Sequence, residues 1–377
     1  MKTQSQIFER NSNFELLRII AMLLIVSYHF IFHLNIDIND ISFFPNKLLI
    51  NLFMFNGKLD ANIFMLISGY FLIKSKFKLK KLIKLYISTT LCSIMIVLLL
   101  SLFDCPLQIT DYLKSFFPIF FNVYWFITRY FIIYVFTNYI NKFLYMLSKR
   151  EYFILLILLG IVLSLFPSFF SIKMIGENNF LWLLFIYMIG GYINLYVHNK
   201  KKISNILIGI MIYLIAVFSS FLFQYLGNFY SVFNKFQFYF SKQFSMFLLL
   251  SSIFVFLGFC NIKLKNKKIN SISSTMIGVY LIHDNYLLRK VLYFDILKNN
   301  LYINSHFFVF RILITIFTVF IVSIILTKIY QYIFYKIFNK NYKKLEFKIK
   351  NSEMIKKINK KINHYFNLCE EWYYETI

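Results

Sequence analysis

The chain has 377 residues, of which 59% are hydrophobic and 21% aromatic. A soluble domain of that length cannot cover so much apolar surface, and runs of about 20 apolar residues recur along it, which excludes a water-soluble globular fold. The net charge of +25, from 41 Lys+Arg against 16 Asp+Glu, sits in short segments between the apolar runs, a pattern of membrane topology rather than of nucleic-acid binding.

The expected fold is all-α: a polytopic membrane protein with about ten transmembrane helices in one bundle. The apolar runs place them at 14–34, 52–73, 83–103, 117–139, 152–171, 179–197, 203–225, 240–260, 272–288 and 306–335. The second is interrupted by "NGKLD" around Gly57 and Asp60, and the tenth is long enough to run past the membrane. Pro is nearly absent and Gly sparse in these spans, so most are expected to be regular helices. The first run lacks a small-residue cleavage pattern and is expected to remain as an anchor.

The connecting segments alternate in charge. Those at 74–84, 141–150, 198–202 and 261–268 are basic. The alternate ones are poorer in Lys or carry Asp37, Asp40, Asp104, Asp111, Glu177 or Asp295. The positive-inside rule then places the basic set and both termini in the cytoplasm. A membrane domain at 1–335 is followed by a basic cytoplasmic tail at 336–377, whose loosely helical Ile, Leu and Phe suit a helix lying on anionic headgroups. Cys92, Cys105, Cys260 and Cys369 are scattered with no C-x-x-C pair, so neither a disulfide framework nor a metal site is expected.

Several polar residues are out of place in lipid. The first run reads "FELLRIIAMLLIVSYHFIFHLN" and carries Arg18, His29 and His33. A charge near the bilayer centre costs roughly 2.5–3.5 kcal/mol on insertion scales, so such residues face protein and usually act there. Eleven helical steps from Arg18 to His29 return to within about 20° of the start, roughly 16 Å along the axis. Both therefore share one stripe. Glu15, three residues before Arg18, is its ready structural partner. A neutral imidazole is the natural proton acceptor near neutral pH, which makes His29 the candidate base, while His33 is expected at the solvated outer interface. Arg129 lies mid-span in "YWFITRYFIIYV", and Arg311 is close enough to a span end to meet headgroups. "NIFMLISGYFLI" places Asn62, Ser68 and Gly69 in the second span, the glycine allowing close helix approach. "SSTMIGVYLIHDN" ends the ninth span with His283 and Asp284, level with His29.

These stretches resemble those of the acyltransferase 3 family, integral membrane enzymes that acylate surface polysaccharides and related acceptors. "RIIAMLLIVSYH" is similar to the family's first-helix motif, a basic residue, ten residues, then His, filled here by Arg18 and His29. "NIFMLISGYFLI" resembles the second-helix motif, with Asn62 at its Asp/Asn position. "KLIKLYI" follows, with Lys81 and Lys84 where the family often has arginines and Ile87 where it has proline. Lys is a point charge rather than a bidentate fork, so phosphate recognition there differs from the family's pattern. "GVYLIH" resembles the late Tyr-Leu-x-His element and "YWFITRYFIIYV" the central Trp-containing helix. The resemblance runs from about 12 to 335, without the extracytoplasmic esterase-like domain of some members.

The resemblance implies transfer of an acyl group, commonly acetyl, from acyl-CoA as co-substrate to a hydroxyl of a carbohydrate or lipid-linked glycan, in a bacterial plasma membrane and with no bound cofactor. It implies His29 as general base or acyl carrier, and Arg18 as the group that positions the donor arm or meets developing oxyanion charge. Lys81 and Lys84 become the dock for coenzyme A phosphates. Asn62, Ser68, Arg129, His283 and Asp284 become possible site-lining residues. Two other readings stand beside this one. A flippase for a lipid-linked glycan predicts internal pseudo-repeats with broken helices at matching positions, and none is visible. A non-enzymatic membrane scaffold has no need of His29 and Arg18 on one stripe.

Overall fold

The computed structural model describes residues 11–34, 37–103, 105–169, 179–198 and 202–351. Asp104, Glu177, Cys369 and positions 199–201 lie outside the described residues, as does most of the expected tail. The described chain is helical, with no strand among its elements. In order, the helices are α1 (Ser12–Phe32), α2 (Phe44–Met54), α3 (Asn56–Leu72), α4 (Leu79–Leu102), α5 (Ile109–Phe116), α6 (Trp125–Val135), α7 (Thr137–Met146) and α8 (Lys149–Gly160). There follow α9 (Phe166–Phe169), α10 (Asn179–Tyr196), α11 (Lys202–Gly227), α12 (Met246–Cys260), α13 (Lys267–Ser273), α14 (Met276–His283), α15 (Tyr286–Arg289) and α16 (Phe308–Asn351). By contacts the chain divides inside α16 into Met1–Ile324 and a second unit from Ile325.

Seven helical stretches are long and apolar enough to cross a membrane: Ser12–Phe32, Leu79–Leu102, Lys149–Phe169, Asn179–Tyr196, Ile203–Gly227, Ser231–Cys260 and Phe308–Ile333. They correspond to seven of the ten expected spans, and the count of ten by this measure is not met. The other three apolar runs are interrupted in the structure. The run 52–73 is divided at Phe55 between α2 and α3. The run 117–139 begins as turns around Asn122, whose φ of 52° lies in the left-handed region, and becomes helical only at Trp125. The run 272–288 is three short pieces, α13, α14 and α15. Regularity also fails inside a long span, where α8 passes through a π turn at Ile161–Leu165 before α9. A hydropathy average over 20 residues is insensitive to one non-helical residue, so these breaks leave the apolar signal intact.

The central helix of the first unit is α3, which packs against α1, α10 and α12. It runs antiparallel to α1. The Phe14 ring lies 5.2 Å from that of Tyr70 and 5.0 Å from that of Phe71, whereas a Cβ on Gly57 would overlap the Tyr28 ring. Against α10 the approach is closer still. A Cβ on Gly69 would overlap the Tyr187 carbonyl, and one on Gly190 the Leu66 carbonyl, so the two backbones nearly touch. Trp182, Tyr187, Met65 and Leu66 fill this seam with essentially no exposure.

The alternation of loop charge becomes a two-ended molecule. At the Arg18 end, Ser12 N donates to Leu264 O (3.1 Å), Phe77 N to Asn138 Oδ1 (3.0 Å) and Asn141 Nδ2 to Leu72 O (2.8 Å). These contacts gather the basic segments 74–84, 141–150 and 261–268. At the His29 end, Asn46 Nδ2 donates to Ile303 O (2.7 Å) and Tyr286 Oη to Asp111 Oδ1 (2.7 Å), which gathers the less basic connections.

Candidate active site

His29 sits in the last turn of α1 and is 9% exposed. Facing it is the end of α14, where the helix stops at His283 and gives way to Asp284 and Asn285. Asn285 determines that stop. Its Oδ1 accepts from Leu287 N (3.0 Å), capping α15, and its Nδ2 donates to Tyr124 Oη (2.8 Å). Tyr124 Oη in turn donates to Leu281 O (3.1 Å), so the residue that precedes α6 pins the α14–α15 turn. Two of the three interrupted runs thus meet at this turn. The third supplies Lys58, through the contact of Gly57 with Tyr28 next to His29.

The histidine pair has a definite proton arrangement. His283 Nδ1 lies 2.6 Å from Val279 O, which can only accept, so Nδ1 carries the proton. In the neutral ring His283 Nε2 is then an acceptor, and it lies 3.1 Å from His29 Nδ1. His29 Nδ1–H therefore donates, and the lone pair of His29 is on Nε2. Asp284 Oδ1 stands 3.5 Å from the same Nδ1, placed to balance positive charge when the imidazole takes a proton. Arg289 Nη1 donates to Asp284 Oδ1 (3.1 Å) and lies 3.3 Å from His33 Nε2, which accepts from it. His33 is therefore part of the network, not a solvated bystander. The assembly is an imidazole with an oriented lone pair, backed by a second imidazole, a carboxylate and an arginine.

Among the described residues, no group of three or more His, Cys, Asp or Glu side chains is arranged to hold a metal ion. A family model for the acyltransferase domain of acyltransferase 3 proteins matches residues 11–328. The chain belongs to the acyltransferase 3 family. No curated protein and no solved structure matches it.

In this acyltransferase the expected residues divide into two groups. His29, His283 and Asp284 come together as described. Arg18 does not join them: its guanidinium donates to Glu15 Oε1 (2.9 Å), and Glu15 Oε2 accepts from Ser273 Oγ at the basic end of the molecule. Lys81 and Lys84 are exposed on the first turns of α4, also at that end. Asn62 is buried against α10, its Oδ1 accepting from Trp182 Nε1 (2.8 Å). Ser68 Oγ donates to Phe64 O (2.8 Å) within its own helix. Arg129 donates to Asn122 Oδ1 (2.8 Å) and Trp125 O (2.9 Å), steadying the turn at the start of α6. Arg311 lies 3.9 Å over the Tyr302 ring and donates to Leu297 O (3.1 Å).

Sequence reading passed over Arg289, Tyr124, Asn285 and Lys58. Arg289 carried a usable signal, being one of only six arginines and five residues after Asp284. The contact between Tyr124 and Asn285 spans 161 positions and left no local pattern.

Proposed function

We propose that this acyltransferase moves an acyl group, acetyl in the simplest case, from acyl-CoA to a hydroxyl of a cell-surface or lipid-linked glycan, with His29 as general base. The observation that carries this reading is the His29 Nδ1 to His283 Nε2 contact of 3.1 Å, which leaves the lone pair of His29 on Nε2. His29 Nε2 takes the proton of the acceptor hydroxyl as its oxygen attacks the thioester carbonyl. When the carbon–sulfur bond breaks, the proton passes from His29 to the departing thiolate, and no net proton is released. General-base help of this kind contributes about 10²–10⁴ in rate.

The two ends of the molecule suit the two substrates. Coenzyme A is polyanionic and cytoplasmic. The basic end, with Lys81 and Lys84 exposed on α4 and Arg18 on α1, is its electrostatic dock, and Arg18 positions the arm that carries the thioester inward. The chain then crosses a bacterial plasma membrane ten times with the basic end in the cytoplasm, three of the crossings being the broken spans. The acceptor enters from the His29 end.

The test pairs His29→Gln and His29→Ala in cells that carry no other copy. Glycan O-acyl content is measured, together with acetyl-CoA binding to the purified protein. Both variants should bind donor normally and leave the glycan unacylated. Near-normal O-acylation with His29→Gln would sink the base assignment, and failure of the unaltered protein to bind acetyl-CoA would favour a glycan flippase.

A further inference from the structure

The site holds one cation that the mechanism above does not use. Lys58, in the first turn of α3, has its Nζ 5.6 Å from the Tyr28 ring centre and 5.5 Å from that of Trp125. Both are cation–π distances. It makes no hydrogen bond or ion pair with any described residue, and the carboxylate that acts on it electrostatically, Asp284, is held by Arg289 at 3.1 Å. Asp284 and Arg289 neutralise one another, and the histidines are neutral in the arrangement derived above. Lys58 is therefore a surplus positive charge beside His29. Two aromatic faces can engage at most two of the three N–H groups of an ammonium, so at least one stays available.

Its position is enforced. Gly57 has no room for a side chain against Tyr28, which seats the start of α3 on the same turn of α1 that carries His29. Trp125 is the first residue of α6, whose start is tied to the α14–α15 turn through Tyr124. Three separate elements converge to cage this one lysine.

Thioester attack places a negative charge on the former carbonyl oxygen, which must lie within about 3 Å of a donor to be stabilised. The reacting carbon is bound to the oxygen that His29 Nε2 deprotonates, so the oxyanion forms beside His29. Arg18 is roughly 16 Å away along the helix and engaged by Glu15.

We infer that Lys58 is a catalytic residue, its ammonium donating to the oxyanion of the tetrahedral intermediate. This rests on the proposed acyl transfer from His29-activated hydroxyl to thioester. The carbon–oxygen bond forms and the carbonyl π pair moves to oxygen, held by Lys58. The pair then returns as the carbon–sulfur bond breaks and the thiolate takes the proton from His29. A charge that exists only in the transition state and intermediate explains why the ammonium has no partner in the resting protein.

The experiment compares Lys58→Met and Lys58→Arg with His29→Gln in reconstituted protein. Acetyl-CoA is the donor, glycan extracted from the producing cells is the acceptor, and release of free coenzyme A thiol is the readout. Lys58→Met should lower kcat by about 10²–10³-fold, while donor binding and acceptor KM stay within about threefold. Lys58→Arg, keeping the charge, should recover at least tenfold of that loss. An unchanged kcat in Lys58→Met would overturn the inference. So would a loss confined to acceptor KM, which would make Lys58 a binder of an anionic group already on the acceptor. Loss of donor binding in both variants would assign it a structural role instead. If His29→Gln were also fully active, the proposed acyl transfer mechanism itself would fall; with His29→Gln inactive and Lys58→Met active, only the lysine's role would.

Discussion

His29 and His283 stand 254 positions apart in the chain and 3.1 Å apart in space, Nδ1 to Nε2. The Val279 carbonyl decides which of the two donates, because it occupies the other nitrogen of His283. A backbone atom four residues before His283 therefore determines which nitrogen of His29 carries the lone pair.

That arrangement predicts graded effects at position 283. His283→Gln retains a side-chain oxygen able to accept from His29 Nδ1–H, and should keep most of the transfer rate. His283→Met offers no comparable acceptor and should lower the rate by about tenfold, the equivalent of one hydrogen bond of roughly 1–1.5 kcal/mol. Asp284→Asn should cost more than His283→Gln, because it removes the charge facing the protonated imidazole and leaves Arg289 unpaired. Initial rates of coenzyme A release check the order, and equal rates for Gln and Met would refute it.

Lys81 and Lys84 are exposed on the first turns of α4. If they meet coenzyme A phosphates, the double Ala variant should raise donor KM and leave acceptor KM alone, and the double Glu variant should be worse. The effect should shrink as salt rises, since exposed charges are screened within about 10 Å at 0.1 M. An unchanged donor KM in both would confine the cluster to topology.

Gly69 packs onto the Tyr187 carbonyl with no space for a side chain. Gly69→Val should destabilise the α3–α10 seam by about 1–3 kcal/mol or more, as overpacking against backbone does. A lower midpoint in thermal unfolding of the detergent-solubilised protein is expected, and an unchanged midpoint would show that the helices can separate cheaply there.

Asp37 and Lys267 are exposed at opposite ends of the molecule. With the basic end cytoplasmic, a membrane-impermeant thiol reagent applied to whole cells should label Asp37→Cys and leave Lys267→Cys untouched until the cells are opened. Labelling of Lys267→Cys from outside would reverse the orientation.

Composition and loop charge were enough to read an all-helical membrane bundle, the two-ended charge split, and the stripe that carries Arg18 and His29. All of these are local or periodic properties, set by transfer free energy and by the 3.6-residue turn, and both operate within one segment. The interruption of the second run was legible at "NGKLD", next to the observed division at Phe55, whereas those before Trp125 and at Asp284 were not, because a non-helical residue costs little hydropathy and is stabilised by partners elsewhere in the chain. Asn285 stops α14 with help from Tyr124, and Gly57 lets the first turn of α3 seat on the Tyr28 ring, which leaves no room for a side chain there. The functional grouping followed the same division. Sequence placed Arg18 with His29 because they share a helix face, while only packing showed that Arg18 turns to Glu15 and that His29 finds its partners on α14. Hydrogen bonds of about 3 Å are decided by which helix ends meet, and that is a property of the assembled bundle.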